Sequence, residues 1–193
     1  GLFNQNIGNW NTSAAANTSY MFYGQPNFDQ NIGTKVVTVN SVSYSAWTLN
    51  NNLNMLAMFY CPNTIKTGVF NNGGSDSIKI WNTAKVTNMS FIFQNQALFN
   101  QEIGTWNTGL VTNMERMFYC DKFTGIFNNG GSSSINNLNI AKSTNISNVF
   151  YGQTNFNQPL SGWTTSAATT TRGCFYGANS FNPFITVYSC CTK

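Results

Sequence analysis

A tryptophan, or once a leucine, is followed 12 residues later by a phenylalanine at six places: Trp10–Phe22, Trp47–Phe59, Trp81–Phe93, Trp106–Phe118, Leu138–Phe150 and Trp163–Phe175. Another phenylalanine, each time followed by Asn or Asp, opens each copy at Phe3, Phe28, Phe70, Phe99, Phe127, Phe156 and Phe181, with separations of 25, 42, 29, 28, 29 and 25 residues. All the length variation falls outside the Trp-to-Phe block. A chain built this way has to be read as an array of repeats before anything else. The repeats start near residues 3, 28, 70, 99, 127, 156 and 181, and 193 residues suit a single domain over 1–193.

Counting from the tryptophan as zero, offsets +5, +8, +11 and +12 read Val86, Met89, Ile92, Phe93 in one copy and Val111, Met114, Met117, Phe118 in the next. Spacings of three, six and seven lie on one face of a helix, which predicts a short helix of about two turns. Asn occupies offset +7 in five copies (Asn17, Asn54, Asn88, Asn113, Asn145), where it would cap the helix start. The "IGxW" stretch before it reads as a strand of about three or four residues. Neither piece is stable alone. Each unit must bury its face against a neighbour, which predicts an α/β repeat, a solenoid of short parallel strands and short helices with about six to seven repeats.

Insertions interrupt the pattern. "FNNGGSDSI" and "FNNGGSSSI" carry turn inserts at 71–75 and 128–132, since Asn-Gly and Gly-Gly tolerate positive φ, and these are expected as loops on one rim. Repeat 2 carries the largest insert, 33–46, in which Val37, Val39 and Val42 alternate with polar residues. That alternation predicts a β-hairpin arm or an edge strand.

Composition narrows the function. Charged residues make up only 7%, against about 25% in an average soluble protein, while 15% aromatics argue for a packed core. The net charge of +4 is spread thinly, without the concentrated basic face that nucleic-acid binding needs. No apolar run approaches the ~18 residues of a transmembrane segment. The chain opens "GLFNQN", with no Met and no signal-like segment, and is expected to be a processed or partial chain.

The pattern F-N-Q-x-I-G-x-W-N-T-x-x-V-T-N-M-x-x-M-F, carried almost position for position by Phe99–Phe118 and in part by repeats 1, 3 and 6, resembles the BspA-like leucine-rich-repeat surface proteins. Mycoplasma surface lipoproteins carry the same roughly 25-residue repeat, and similar repeats occur in protists and large viruses. Repeat 5 departs from the pattern at Leu138, as do the inserts. The resemblance implies a right-handed leucine-rich-repeat-like solenoid and an extracellular or cell-surface location, a virion surface included. It also implies a non-enzymatic role in adhesion or partner binding, with no catalytic residues and no cofactor.

The residues themselves agree on chemistry. There is no histidine, which removes Ser-His-Asp and Cys-His catalysis and His-metal sites, and the five acids Asp29, Asp76, Glu102, Glu115 and Asp121 are scattered. "GGSD" at Gly73–Asp76 hints at a calcium turn, but the equivalent loop reads "GGSS", so a plain turn is expected. Cys174 sits at offset +11, a core position. Cys190 or Cys191 could bridge to it or to a neighbouring chain, while Cys61 and Cys120 are expected not to pair with each other. Asn11, Asn17, Asn88 and Asn145 are glycosylation sequons, although the recurrence of the +7 Asn without a sequon gives it a structural reason as well.

Two roles follow. Residues 1–28 carry no charge and no evident polar cap, which predicts head-to-tail self-association into a filament or surface layer. Alternatively, an outward row of Tyr23, Tyr60, Tyr119, Tyr151 and Tyr176 binds a protein or glycan ligand.

Overall fold

The computed structural model describes residues 2–62 and 67–182. Each Trp-to-Phe block crosses the molecule as a chain of tight turns. Offset +10 has a left-handed backbone in all six copies: Tyr20, Ala57, Phe91, Arg116 and Asn148 lie at φ 59°, 53°, 61°, 52° and 56°, and Gly173 at 67°. A right-handed helix cannot run through such a residue.

The backbone bonds show what replaces the helix. In the fourth block the N–H groups of Met114, Arg116, Phe118 and Cys120 donate to the carbonyls of Asn145, Ser147, Val149 and Tyr151 in the next repeat, at 2.9, 2.9, 3.0 and 2.8 Å. Between them, Met117 donates to Met114 and Tyr119 to Arg116, at 3.2 and 3.1 Å. Alternate amides therefore join repeats while the others close three-residue turns, and the same alternation recurs from the first block to the fifth.

The expected architecture is thereby corrected. Among the described residues there is no α-helix, and the only strands are β1 (Lys35–Val39) and β2 (Val42–Ala46), an antiparallel pair. The repeats meet through isolated single-residue parallel bridges (Asn17 to Asn54, Asn54 to Asn88, Asn88 to Asn113, Asn113 to Asn145, Asn145 to Thr170), not through parallel strands. The "IGxW" stretch is a turn: Trp106 N donates to Ile103 O at 2.9 Å, and Trp10 and Trp81 do the same to Ile7 and Ile78 at 3.0 Å. The +7 asparagines cap turns, not helices. Asn88 and Asn145 each accept through Oδ1 from the backbone N–H two residues on, Ser90 and Ser147, at 2.9 and 3.0 Å.

Two columns of phenylalanine form the core. The block-ending Phe stacks on the next repeat's opening Phe with ring centroids 3.7–4.0 Å apart (Phe22 on Phe28, Phe93 on Phe99, Phe118 on Phe127, Phe150 on Phe156, Phe175 on Phe181). Successive layers of each column lie further apart, as in Phe93–Phe118 at 5.8 Å and Phe99–Phe127 at 5.9 Å. The tryptophans stitch one layer to the previous one: the indoles of Trp47, Trp81, Trp106 and Trp163 donate to the carbonyls of Ile7, Ile32, Ile78 and Ile135 at 2.9, 3.1, 2.9 and 2.9 Å.

The polar partner of the opening Phe has its own ladder. Oδ1 of Asn4, Asp29, Asn71, Asn100, Asn128 and Asn157 accepts in turn from the backbone N–H of Asp29, Asn71, Asn100, Asn128, Asn157 and Asn182, at 3.0, 2.7, 2.9, 2.7, 2.9 and 3.3 Å. This ladder gives the "FN" pair its physical reason. Gln25, Gln96 and Gln153 act similarly beneath it, their Oε1 accepting from Phe3, Phe70 and Phe127 N–H at 2.8, 2.9 and 2.9 Å.

The insert of repeat 2 contains β1 and β2, joined by Asn40 and Ser41 at φ 49° and 64°, the backbone of a type I′ hairpin. Val37 and Tyr44 face the core, and the Tyr44 hydroxyl donates to Asn9 O at 2.5 Å. The Gly-Gly inserts fold into 3₁₀ turns, Asn72–Gly74 with Asp76–Ile80 and Asn129–Gly131 with Ser133–Asn137.

Candidate functional site

Next to the core-facing offset +12, offset +13 carries Tyr23, Tyr60, Gln94, Tyr119, Tyr151 and Tyr176; Gln94 is buried, Tyr60, Tyr119 and Tyr151 are half-buried, and Tyr23 and Tyr176 are exposed. The tyrosines do not make one row. Gln94 divides them into a Tyr23–Tyr60 pair, edge to face at 5.2 Å and 83°, and a stacked trio. In the trio, Tyr119–Tyr151 and Tyr151–Tyr176 lie 4.5 and 5.0 Å apart, both at 20°. Tyr119 and Tyr151 are half-buried in this stack and Tyr176 is exposed.

Beside the trio runs the +10 column, which holds Arg116 and Asn148. The Arg116 guanidinium sits 5.1 Å from the Tyr119 ring centre and 5.9 Å from that of Phe91, so two aromatic rings hold it by cation–π contact. Its Nε is buried without a hydrogen bond, and Glu115 lies 3.8 Å away as an ion-pair partner. Glu115 is itself engaged, accepting from Asn145 Nδ2 at 3.1 Å. Arg172 is exposed in the last described block. Arg116, Asn148, Arg172 and the three tyrosines enclose a groove of about 470 Å³. Beyond Tyr176 lies a second hollow of about 440 Å³, which Phe123, Phe175 and Ala178 also line.

Burial raises the Tyr119 phenol above the ordinary tyrosine range, with Tyr151 and Asp121 adding to the effect and Arg116 opposing it. Tyr60 is raised in the same way, first by burial and then by Tyr23. Both phenols therefore stay protonated, as hydrogen-bond donors, across the physiological range.

The other sequence candidates are scattered. Asn11 and Asn17 are exposed, whereas Asn88 and Asn145 are half-buried with their Oδ1 committed to turns. Cys120 carries a free thiol 3.6 Å from Thr124 Oγ1, so no bridge joins it to Cys61. Cys174 is buried at its core position, its sulfur donating to Ile146 O and Thr171 O at 3.0 and 2.8 Å. Cys190 and Cys191 lie outside the described residues. Asp76 of the "GGSD" turn pairs with Lys79 at 2.5 Å, and that contact lowers its pKa and raises that of Lys79. Among the described residues, no group of three or more His, Cys, Asp or Glu is placed to hold a metal, and no helix is long and apolar enough to cross a membrane.

A family model described as "Mycoplasma protein of unknown function, DUF285" matches residues 1–69, 35–132 and 120–190. The chain belongs to this family. The overlapping DUF285 segments echo its repeats, while no curated protein and no solved structure matches it.

The sequence singles out the recurring tyrosines but not Arg116 and Arg172, which line the same groove. Each occurs in one copy only, at offsets where other copies carry unrelated side chains, so no recurrence flags them. The asparagine ladder was also missed, although its signal, Asn or Asp after every one of the seven opening phenylalanines, was plain in the spelling.

Proposed function

We propose that this DUF285 chain is a non-enzymatic recognition protein, working at a cell surface or outside the cell, that takes a protein or glycan ligand in the Tyr119–Tyr151–Tyr176 groove. The observation that carries it is the convergence of two arginines, an asparagine and three stacked tyrosines on one concavity of about 470 Å³. Tyrosine and arginine are the side chains that most often anchor binding surfaces, because they offer large rigid area and directed polar contacts together. The likeness of the repeat to BspA-like surface proteins supports the surface location. The absence of histidine from the sequence and the dispersal of its five acids support a binding role over a catalytic one. End-to-end association ranks below this, because the groove joins cavity, charge and rings in one place.

The test is binding of purified protein to arrayed glycans and extracellular proteins, with Tyr151→Ala and Tyr23→Ala variants alongside. Tyr151 stands in the middle of the trio, and Tyr23 lies on the same side of the repeats but outside the groove. Tyr151→Ala should lose at least about tenfold in affinity, the effect of truncating a contact worth more than 1.4 kcal/mol. Tyr23→Ala should bind as the parent does. Equal behaviour of the two variants, or a parent that binds nothing on either array, defeats the proposal.

A further inference from the structure

Resting on that recognition role, we infer that the groove takes a carboxylated saccharide, with the acid group held by Arg116 and Arg172 and the sugar rings lying along the tyrosine trio. Arg116 is ready for this. Its guanidinium is fixed between Phe91 and Tyr119, and its Nε is buried with no hydrogen bond. A planar guanidinium so restrained loses little freedom on pairing with a planar carboxylate. Arg172, across the groove, is exposed and brings the second charge.

The rest of the lining suits a sugar. Asn148 offers an amide, and the tyrosine ring centres lie 4.5 and 5.0 Å apart, a distance comparable to the advance per residue of an extended glycan. The phenol hydroxyls of the trio can donate to ring hydroxyls and oxygens, and burial holds that of Tyr119 protonated. The charge balance selects one carboxylate per sugar over a dense polyanion. Glu115 stands 3.8 Å from Arg116, so a heavily sulfated chain would meet that carboxylate as well as the two arginines.

Titration calorimetry of the full chain with trigalacturonate, its neutral methyl ester, and a heparin hexasaccharide tests this. The acid should bind, the ester should bind at least about tenfold more weakly, and Arg172→Gln should weaken the acid by a similar factor, as loss of a charge-assisted bond implies. Arg172→Gln leaves the core untouched, and a thermal melt matching the parent's certifies its fold. 3′-Sialyllactose against lactose repeats the comparison with a different carboxylated sugar. Equal affinity for acid and ester, or tighter binding of the heparin fragment, overturns the inference. So does failure of both carboxylated sugars to bind. If the parent still binds an arrayed protein or neutral glycan through Tyr151 in those cases, the recognition role survives and only the ligand class falls.

Discussion

At the scale of single residues, the molecule is organised by side chains that behave as backbone. Asn100 illustrates it: its Oδ1 accepts from the N–H groups of Asn128 at 2.7 Å and Gly130 at 3.1 Å. Two layers earlier, the same two bonds, from Asn71 at 2.7 Å and Gly73 at 2.9 Å, are received by the carboxylate of Asp29. The position therefore requires an acceptor, not an amide. Asn100→Ala should cost about 1–2 kcal/mol, because the half-buried Asn128 N–H loses its partner. Asn100→Asp should stay within about 0.5 kcal/mol of the parent, since an ionised acceptor serves these donors as well. Urea denaturation of the two variants at neutral pH decides it, and an aspartate as damaging as alanine contradicts the ladder.

At the scale of the element, the Trp-to-Phe block was visible from its spacing, and so was its buried face: Val86, Met89, Ile92 and Phe93 are all at most 1% exposed. The element itself was misread. Offsets of three put side chains on one side in a run of three-residue turns as well as in a helix, so the apolar pattern does not separate them. What separates them is the left-handed residue at +10, and only two of its six occupants, Asn148 and Gly173, are residue types at home there. Tyr, Ala, Phe and Arg fill the other four and conceal the signal. The groove was half legible for a related reason: tyrosine recurs at +13, but the arginines that give it charge do not recur. Gly173→Ala tests the distinction directly. In a helix the change would stabilise by about 0.8–1.0 kcal/mol. Here Gly173 has φ 67°, and a Cβ would lie 2.5 Å from Asn148 Oδ1. The variant should lose about 1–2 kcal/mol from the left-handed backbone alone. The sign of the change in urea midpoint is the measurement, and a stabilised variant would restore the helix.

At the scale of the whole molecule, stability passes from layer to layer. Amides, indoles, asparagines and both phenylalanine columns each reach from one repeat to the adjacent one, so an inner layer is held from two sides and the first layer from one. Exposure follows that asymmetry: Trp10 is 51% exposed, whereas Trp81 and Trp106 are 3%. Truncations should be graded the same way. Phe118 stacks on Phe127 at 3.8 Å and meets Phe93 and Phe150 at 5.8 and 5.7 Å. Phe118→Ala opens a hole in its own column, takes the stacking partner from Phe127 in the other, and should cost about 3–5 kcal/mol. Phe3, half-buried in the first layer, meets only Phe22 and Phe28 among the rings of the described residues, at 6.5 and 5.9 Å, and its truncation should cost less than half as much. Native-state hydrogen exchange adds a spatial reading. Phe3→Ala should speed exchange in the first layer alone, at Phe22 N–H for example, while Phe118→Ala should speed it at Phe59, Phe93 and Phe150 together. Equal costs, or equal spread of the exchange effect, would mean that the repeats share one indivisible core and do not support one another in sequence.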